Sequence, residues 1–273
     1  MTALSKPADG AAQGAASGAD GAMAVTEDGF LDNRLTIRQP RDGYRAAIDP
    51  LFLAAAVPAA EGDRALDLGA GAGVAALALA HRVTGLRVTG IEIDPALMRL
   101  CGDNAKRNGF QGRTDFMVGD VAKPPARLAP GTFDHVMANP PYLEAARAQV
   151  SPDAARAGAN VEGKAQDGDA ADLASWLRLA LAMAKNGGTL TLIHRADRMT
   201  DVLDGLKTGA GGAVIFPLWP DRAATPAKRV VIQAVKGSKA PLTLARGLVL
   251  HEEGGGFTAE ADAVLRGGMG LRL

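Results

Sequence analysis

Arg64-Ala65-Leu66-Asp67-Leu68-Gly69-Ala70-Gly71-Ala72-Gly73-Val74 is the stretch that decides the fold. It reads as a short buried strand, then a glycine turn, then a helix of alanines and leucines running to about His81. Strand, turn and helix in that order open a parallel α/β unit. Gly69, Gly71 and Gly73 let the backbone adopt positive φ and pass close to a ligand. The spacing is G-x-G-x-G, not the G-x-G-x-x-G of a dinucleotide site. The loop holds no basic side chain, which disfavours a pyrophosphate ligand. Asp67, just ahead of the glycines, suits a ligand with a positive end.

Working outward, Arg87 to Asp94 reads as the next strand, with Glu92 near its end. An acid roughly 20 residues past such glycines can bind ribose hydroxyls in nucleotide folds. A helix is expected from Pro95, capped by Asp94 and ending by Gly109. Asp115 to Val118 reads as a third strand that runs into Gly119-Asp120, and Asp120 could accept from an adenine amine. Each acid taken alone is equally a helix cap or a solvated strand end. Three of them at strand ends, in this order behind a glycine loop, argue for a ligand-bearing edge.

A fourth strand, Phe133 to Ala138, runs into Asn139-Pro140-Pro141-Tyr142. The prolines stop the strand because they lack an N–H for the ladder and have a fixed φ. The turn they leave is short and rigid. The Asn139 side-chain oxygen and the Pro140 backbone carbonyl can accept both hydrogens of a planar –NH2 group. Tyr142 can stack on the plane behind it. A strand-ending turn with a packed tyrosine is the plainer reading of the tetrapeptide by itself.

Together these motifs resemble a class I S-adenosylmethionine-dependent methyltransferase of the amino-methylating group. The resemblance spans most of Ala65 to Asn186 and rests on the G-x-G-x-G loop, Glu92, Asp120 and N-P-P-Y, in that order. It implies a Rossmann-like fold: a mostly parallel seven-stranded sheet with helices on both faces and an antiparallel strand near the C-terminus. It implies S-adenosylmethionine as cofactor, contacted by Asp67, Gly69, Gly71, Gly73, Glu92, Asp120 and Asn139. Asn139, Pro140 and Tyr142 would be the catalytic set. Leu35 to Leu53, with Gln39-Pro40-Arg41-Asp42-Gly43-Tyr44-Arg45 and Asp49-Pro50, looks like the segment before the cofactor domain in bacterial tRNA (adenine-N6)-methyltransferases. The expected substrate is therefore the exocyclic amine of adenine in RNA, most simply a tRNA anticodon loop, whose bases are partly unstacked already. The alternatives are a protein glutamine amide, as in translation termination factors, and a ribosomal RNA base. Glutamine-methylating relatives usually carry a helical domain before the cofactor domain, and its absence here favours RNA. Asp49 with Pro50 also makes a good N-cap and N1 pair for a helix from Leu51 to Ala60.

Composition bounds the rest. The 273 residues carry 30 basic and 30 acidic side chains, which argues against a strongly basic nucleic-acid binder. Distribution matters more than the sum, however: between Arg222 and Leu250 every charged residue is basic. Lys228 and Arg229 are the candidate phosphate contacts, with Arg41 and Arg45 near the cofactor pocket. The single cysteine, Cys101, excludes internal disulfides, and the four scattered histidines give no metal spacing. No apolar run approaches the roughly 18 residues of a membrane span, and the expected location is cytoplasmic. Residues 1–29 are expected to form a disordered Ala/Gly-rich tail, and 30–273 a single methyltransferase domain. Leu31 to Arg38 reads as a strand or hairpin, with Gly43 marking a turn. Residues 143–169 form a long polar loop, read as a substrate-side lid. Ala170 to Lys185 is expected as an amphipathic helix stopped by Asn186-Gly187-Gly188. Further strands are expected at Thr189–His194, Ala213–Pro220, Arg229–Val235 and Leu248–Leu250, and helices at Asp197–Leu206 and Ala259–Leu265.

Overall fold

The computed structural model describes residues 23–42, 45–141, 143–144, 161–162, 172–223 and 225–273. The chain enters through an antiparallel hairpin of β1 (Val25–Phe30) and β2 (Leu35–Pro40). Residues 25–29 are therefore strand, which corrects the expected boundary of the tail. Alternation buries Leu35, Ile37 and Gln39 of β2 on one face, enough to hold the hairpin to the body. Gly43 lies outside the described residues.

Helix α1 (Asp49–Ala56) is buried from Pro50 onward, with Pro50 in its first turn. A helix apolar all round belongs in the middle of a protein, and α1 packs on the sheet and on its neighbouring helices. It ends at Ala56, four residues short of the expected Ala60, before Pro58. Asp49 does not cap it. Ile48 holds the N-cap position without a side-chain bond, and the Asp49 carboxylate instead accepts from Arg229 Nε at 2.9 Å.

Strands then alternate with helices: β3 (Arg64–Leu68), α2 (Val74–Arg82), β4 (Arg87–Glu92), α3 (Pro95–Arg107), β5 (Thr114–Val118) and β6 (Phe133–Ala138). Asp94 caps α3 as expected, accepting from the Ala96 and Leu97 N–H groups. The two-residue strands β7 (Leu143–Glu144) and β8 (Val161–Glu162) pair in parallel. The rest of the expected lid lies outside the described residues. Helix α4 (Leu173–Met183) begins at an Asp172 cap and passes straight into β9 (Ala184–Arg195). The Asn186-Gly187-Gly188 helix stop is thus a correction. The chain is extended from Ala184, and the glycines absorb a register shift between Phe133 and His135 of β6, with Gly187 at φ +80°. After α5 (Met199–Leu206) come β10 (Ala210–Trp219), β11 (Arg229–Lys236), β12 (Thr243–Leu244), β13 (Leu248–Val249) and α6 (Ala259–Leu265).

The main sheet runs β12-β10-β11-β9-β6-β3-β4-β5, with β13 also on β10. Strands β9, β6, β3, β4 and β5 are mutually parallel, and β11 is antiparallel to both neighbours. The seven long strands are those expected, and β12 and β13 add a short outer rim on β10. One face carries α1, α2 and α6, and the other α4 and α5. The chain lays β4 and β5 to one side of β3 and then returns to lay β6 on the other. That reversal between β3 and β6 is the switch point at which open α/β sheets bind ligands.

Candidate active site at the switch point

Register places the motifs together. Leu68 pairs with Ala138 on one side and Ile91 on the other, and Glu92 pairs with Val118. Gly69, Asn139 and Glu92 therefore leave three adjacent strands at nearly the same level, with Gly119-Asp120 one strand further on. The three loop glycines have φ of +69°, +57° and +89°, the left-handed region that glycine takes without steric cost. Their surroundings differ. A Cβ on Gly69 would collide with the Trp176 ring, and one on Gly73 would meet Cys101 Sγ. A Cβ on Gly71 would meet nothing within 4 Å. Gly71 is the glycine that faces open space, where a ligand can approach the backbone.

The acids divide by environment. Asp67 is 2% exposed, and its Oδ2 has no hydrogen-bond partner. Burial pushes its pKa up to about 8; the Ala76 backbone N–H opposes the shift and the nearby Glu92 carboxylate adds to it. A buried acceptor without a partner costs about 1–3 kcal/mol. A cationic ligand above the loop would relieve that cost, directly or through a bridging water. Glu92 accepts from the Gly71 N–H at 2.9 Å and the Asp94 N–H at 3.0 Å, and burial raises its pKa against those bonds. It splints the glycine loop and keeps lone pairs for hydroxyl donors. Asp120 is half-buried and accepts from the Ala122 N–H at 2.8 Å.

Asn139 is half-buried and Pro140 buried at the end of β6. Tyr142 lies outside the described residues. The candidate phosphate contacts stand apart from one another. Arg45 is held by Asp28 at 2.6 Å and by Thr26, so it braces the hairpin. Arg41 is exposed at the end of β2. Arg229 is tied to Asp49, while Lys228 is exposed at the same strand start. In the basic segment, Arg222 pairs with Glu252 and Lys236 donates to the Ala184 carbonyl.

Two residues of the edge carry no motif. Trp176 closes over Gly69 from α4, far along the chain, and no local signal announces that contact. Ile93, directly after Glu92, is 49% exposed beside it. An apolar side chain left in solvent next to Glu92 suits a flat ring, and its place directly after that acid is the available sequence signal. Among the described residues there is no group of three potential metal ligands, and no helix long and apolar enough to cross a membrane.

Residues 48–157 match the model of the methyltransferase small domain family. The tRNA1(Val) (adenine(37)-N6)-methyltransferase of Actinobacillus succinogenes is 30% identical over 172 residues, covering 63% of this chain and 69% of the relative. The release factor glutamine methyltransferase of Rhodospirillum rubrum is 36% identical over 152 residues, covering 54% of this chain and 45% of the relative. Several other curated relatives are matched over less than half their length. The crystal structure of a predicted O-methyltransferase from Agrobacterium tumefaciens superposes with a TM-score of 0.66 at 27% identity, covering 82% of this chain and 98% of the other. The chain belongs to the S-adenosylmethionine-dependent methyltransferases. Within that class it resembles the N-methylating branch that holds the tRNA adenine and release factor enzymes.

Proposed function

We propose that the chain from the β1–β2 hairpin onward acts as one methyltransferase domain that methylates the N6 amine of adenosine in RNA, most simply a tRNA anticodon loop. The observation that carries this reading is the pairing of Leu68 with Ala138, from which Gly69 and Asn139 emerge side by side. Asp67, the glycine loop, Glu92, Ile93 and Asp120 would hold S-adenosylmethionine: the orphaned Asp67 oxygen suits its cationic end, and the open space at Gly71 suits its close approach. When bound, the cofactor supplies an already activated methyl electrophile.

The chain's own work is alignment. The Asn139 side-chain oxygen and the Pro140 carbonyl accept the two amine hydrogens, which favours a pyramidal nitrogen with an available lone pair. Tyr142 stacks on the base, worth ~1–3 kcal/mol. No general base is required, because the proton can leave after transfer.

A charge gradient supports a nucleic-acid substrate. Asp67, Glu92 and Asp120 lie at or close to the strand ends on one side of Asn139; on the other, exposed Lys228 stands beside Arg195 and Arg229, which pair with Asp197 and Asp49. The second reading, a glutamine amide, is favoured by the release factor relative and presents the same planar –NH2 to Asn139. Labelled methyl transfer into total RNA against total protein, followed by nucleoside analysis, separates them. N6-methyladenosine supports the proposal, and label in a protein glutamine sinks it.

A further inference from the structure

Helix α3 carries Asn104 in its last turn and Asn108 at its C-cap, one helical turn apart and facing β2. The Asn108 side chain accepts from the Thr36 N–H at 2.9 Å and donates to the Thr36 carbonyl at 2.8 Å. Asn104 does the same for Arg38, accepting from its N–H and donating to its carbonyl, both at 2.9 Å. The spacing explains the match. Four helical residues advance about 6 Å, and two strand residues about 6.6–6.8 Å. Side-chain amides at i and i+4 can therefore stand in for a neighbouring strand on the free edge of β2, satisfying backbone groups that an edge otherwise leaves open.

The third bond differs: Asn108 donates to the Asn104 carbonyl at 2.8 Å, within its own segment, whereas Asn104 reaches outside it. Its second amide hydrogen goes to the Ala72 carbonyl at 2.9 Å, inside the glycine loop. Asn104 is 0% exposed, and its bond to the Ala72 carbonyl is buried. Ala72 lies between Gly71 and Gly73, in the stretch of chain with the most conformational freedom to lose. Loop order that exists before the ligand arrives lowers the cost of binding.

We infer that Asn104 is a positioning residue that locks the glycine loop to the β1–β2 hairpin, so that hairpin docking and cofactor binding stabilise each other. The inference rests on the reading that the glycine loop holds the cofactor. The linkage is reciprocal: whatever orders the loop through Ala72 also holds the Arg38 N–H in its bond to Asn104.

The test compares Asn104→Ala with Asn108→Ala. Each deletes two bonds to β2, and only the first frees Ala72. Calorimetry with S-adenosylhomocysteine should show roughly five- to tenfold weaker binding for Asn104→Ala, the worth of one net hydrogen bond, and a change within about twofold for Asn108→Ala. Equal losses in both variants, or none in Asn104→Ala, overturn the inference. Hydrogen exchange on the wild-type protein decides the matter even if Asn104→Ala fails to fold. Addition of S-adenosylhomocysteine should slow exchange at the Arg38 amide more than at the Val231 amide on β11, and an unchanged Arg38 amide overturns the linkage. No binding to the wild type at all would instead remove the cofactor reading beneath it.

Discussion

Asp67 shows how one buried side chain sets a property of the whole protein. Its folded-state pKa, about 8, lies above the ordinary carboxylate range. The native state then holds a proton that the unfolded chain releases near pH 4. Between those values the native state binds more protons at this group, so the stability Asp67 contributes is fully present below about pH 4 and is lost as pH rises to about 8. Glu92, shifted in the same direction, adds to the slope. Asp67→Asn should flatten the dependence of denaturant midpoint on pH and leave the ligand-free protein more stable than wild type at pH 8. A variant with the wild-type slope would show that Asp67 is ionised throughout. Asn139 calls for a different measurement, because its amide is placed to act on the nucleophile. Asn139→Ala should lower methyl transfer on the order of a hundredfold or more, with S-adenosylhomocysteine affinity nearly unchanged. Normal turnover would make the turn purely structural.

At the scale of elements, α1 is the piece the sequence placed well and explained wrongly. Asp49-Pro50 has the look of a cap, yet Asp49 bonds to Arg229 at the start of β11. Gln233 of the same strand donates to the Ala56 carbonyl at the far end of α1. Arg82 at the end of α2 donates to the Ala54 and Val57 carbonyls, meeting acceptors the helix cannot satisfy itself. The helix is thus pinned at both ends by β11. Asp49→Ala and Arg229→Ala should each lower the melting temperature, and the double variant should fall short of their sum by roughly 0.5–1 kcal/mol. Strict additivity would mean that the pair contributes nothing. Gly69→Ala should be the more damaging change: the alanine would have to adopt φ +69° and clear Trp176. A melting temperature equal to wild type would show that the loop and α4 yield freely.

For the whole molecule, the C-terminal edge of the sheet carries acids on one side of Asn139 and, on the other, ion-paired arginines with exposed Lys228. The net charge of zero hides this division. On the basic side Arg195 is shared with Asp197 and Arg229 with Asp49, which leaves exposed Lys228 as the better phosphate contact. Lys228→Ala should weaken tRNA binding and reduce its salt slope by about 1, with cofactor affinity unchanged. Binding identical to wild type at every salt concentration would make this segment a solvated surface.

The sequence by itself determined the strands and helices around the motifs, because each is announced locally: glycines where φ must be positive, prolines where a strand must end, an aspartate where α3 begins. It also ordered the acids and the N-P-P turn, since in a parallel sheet each strand's C-terminal end delivers its loop to the same edge. Contacts between distant segments carried no such signal. Gly187 reads as a helix stop, but the pairing of β6 with β9 turns it into a bulge. Asp49 reads as a cap until Arg229 arrives from 180 residues away. Asn104 carries no sequence signal of its own, and only its meeting with β2 and Ala72 reveals its three backbone bonds. A side chain's local conformation follows from its neighbours in the chain. Its hydrogen-bond partner, once it is buried, follows from whichever backbone the tertiary fold brings within reach.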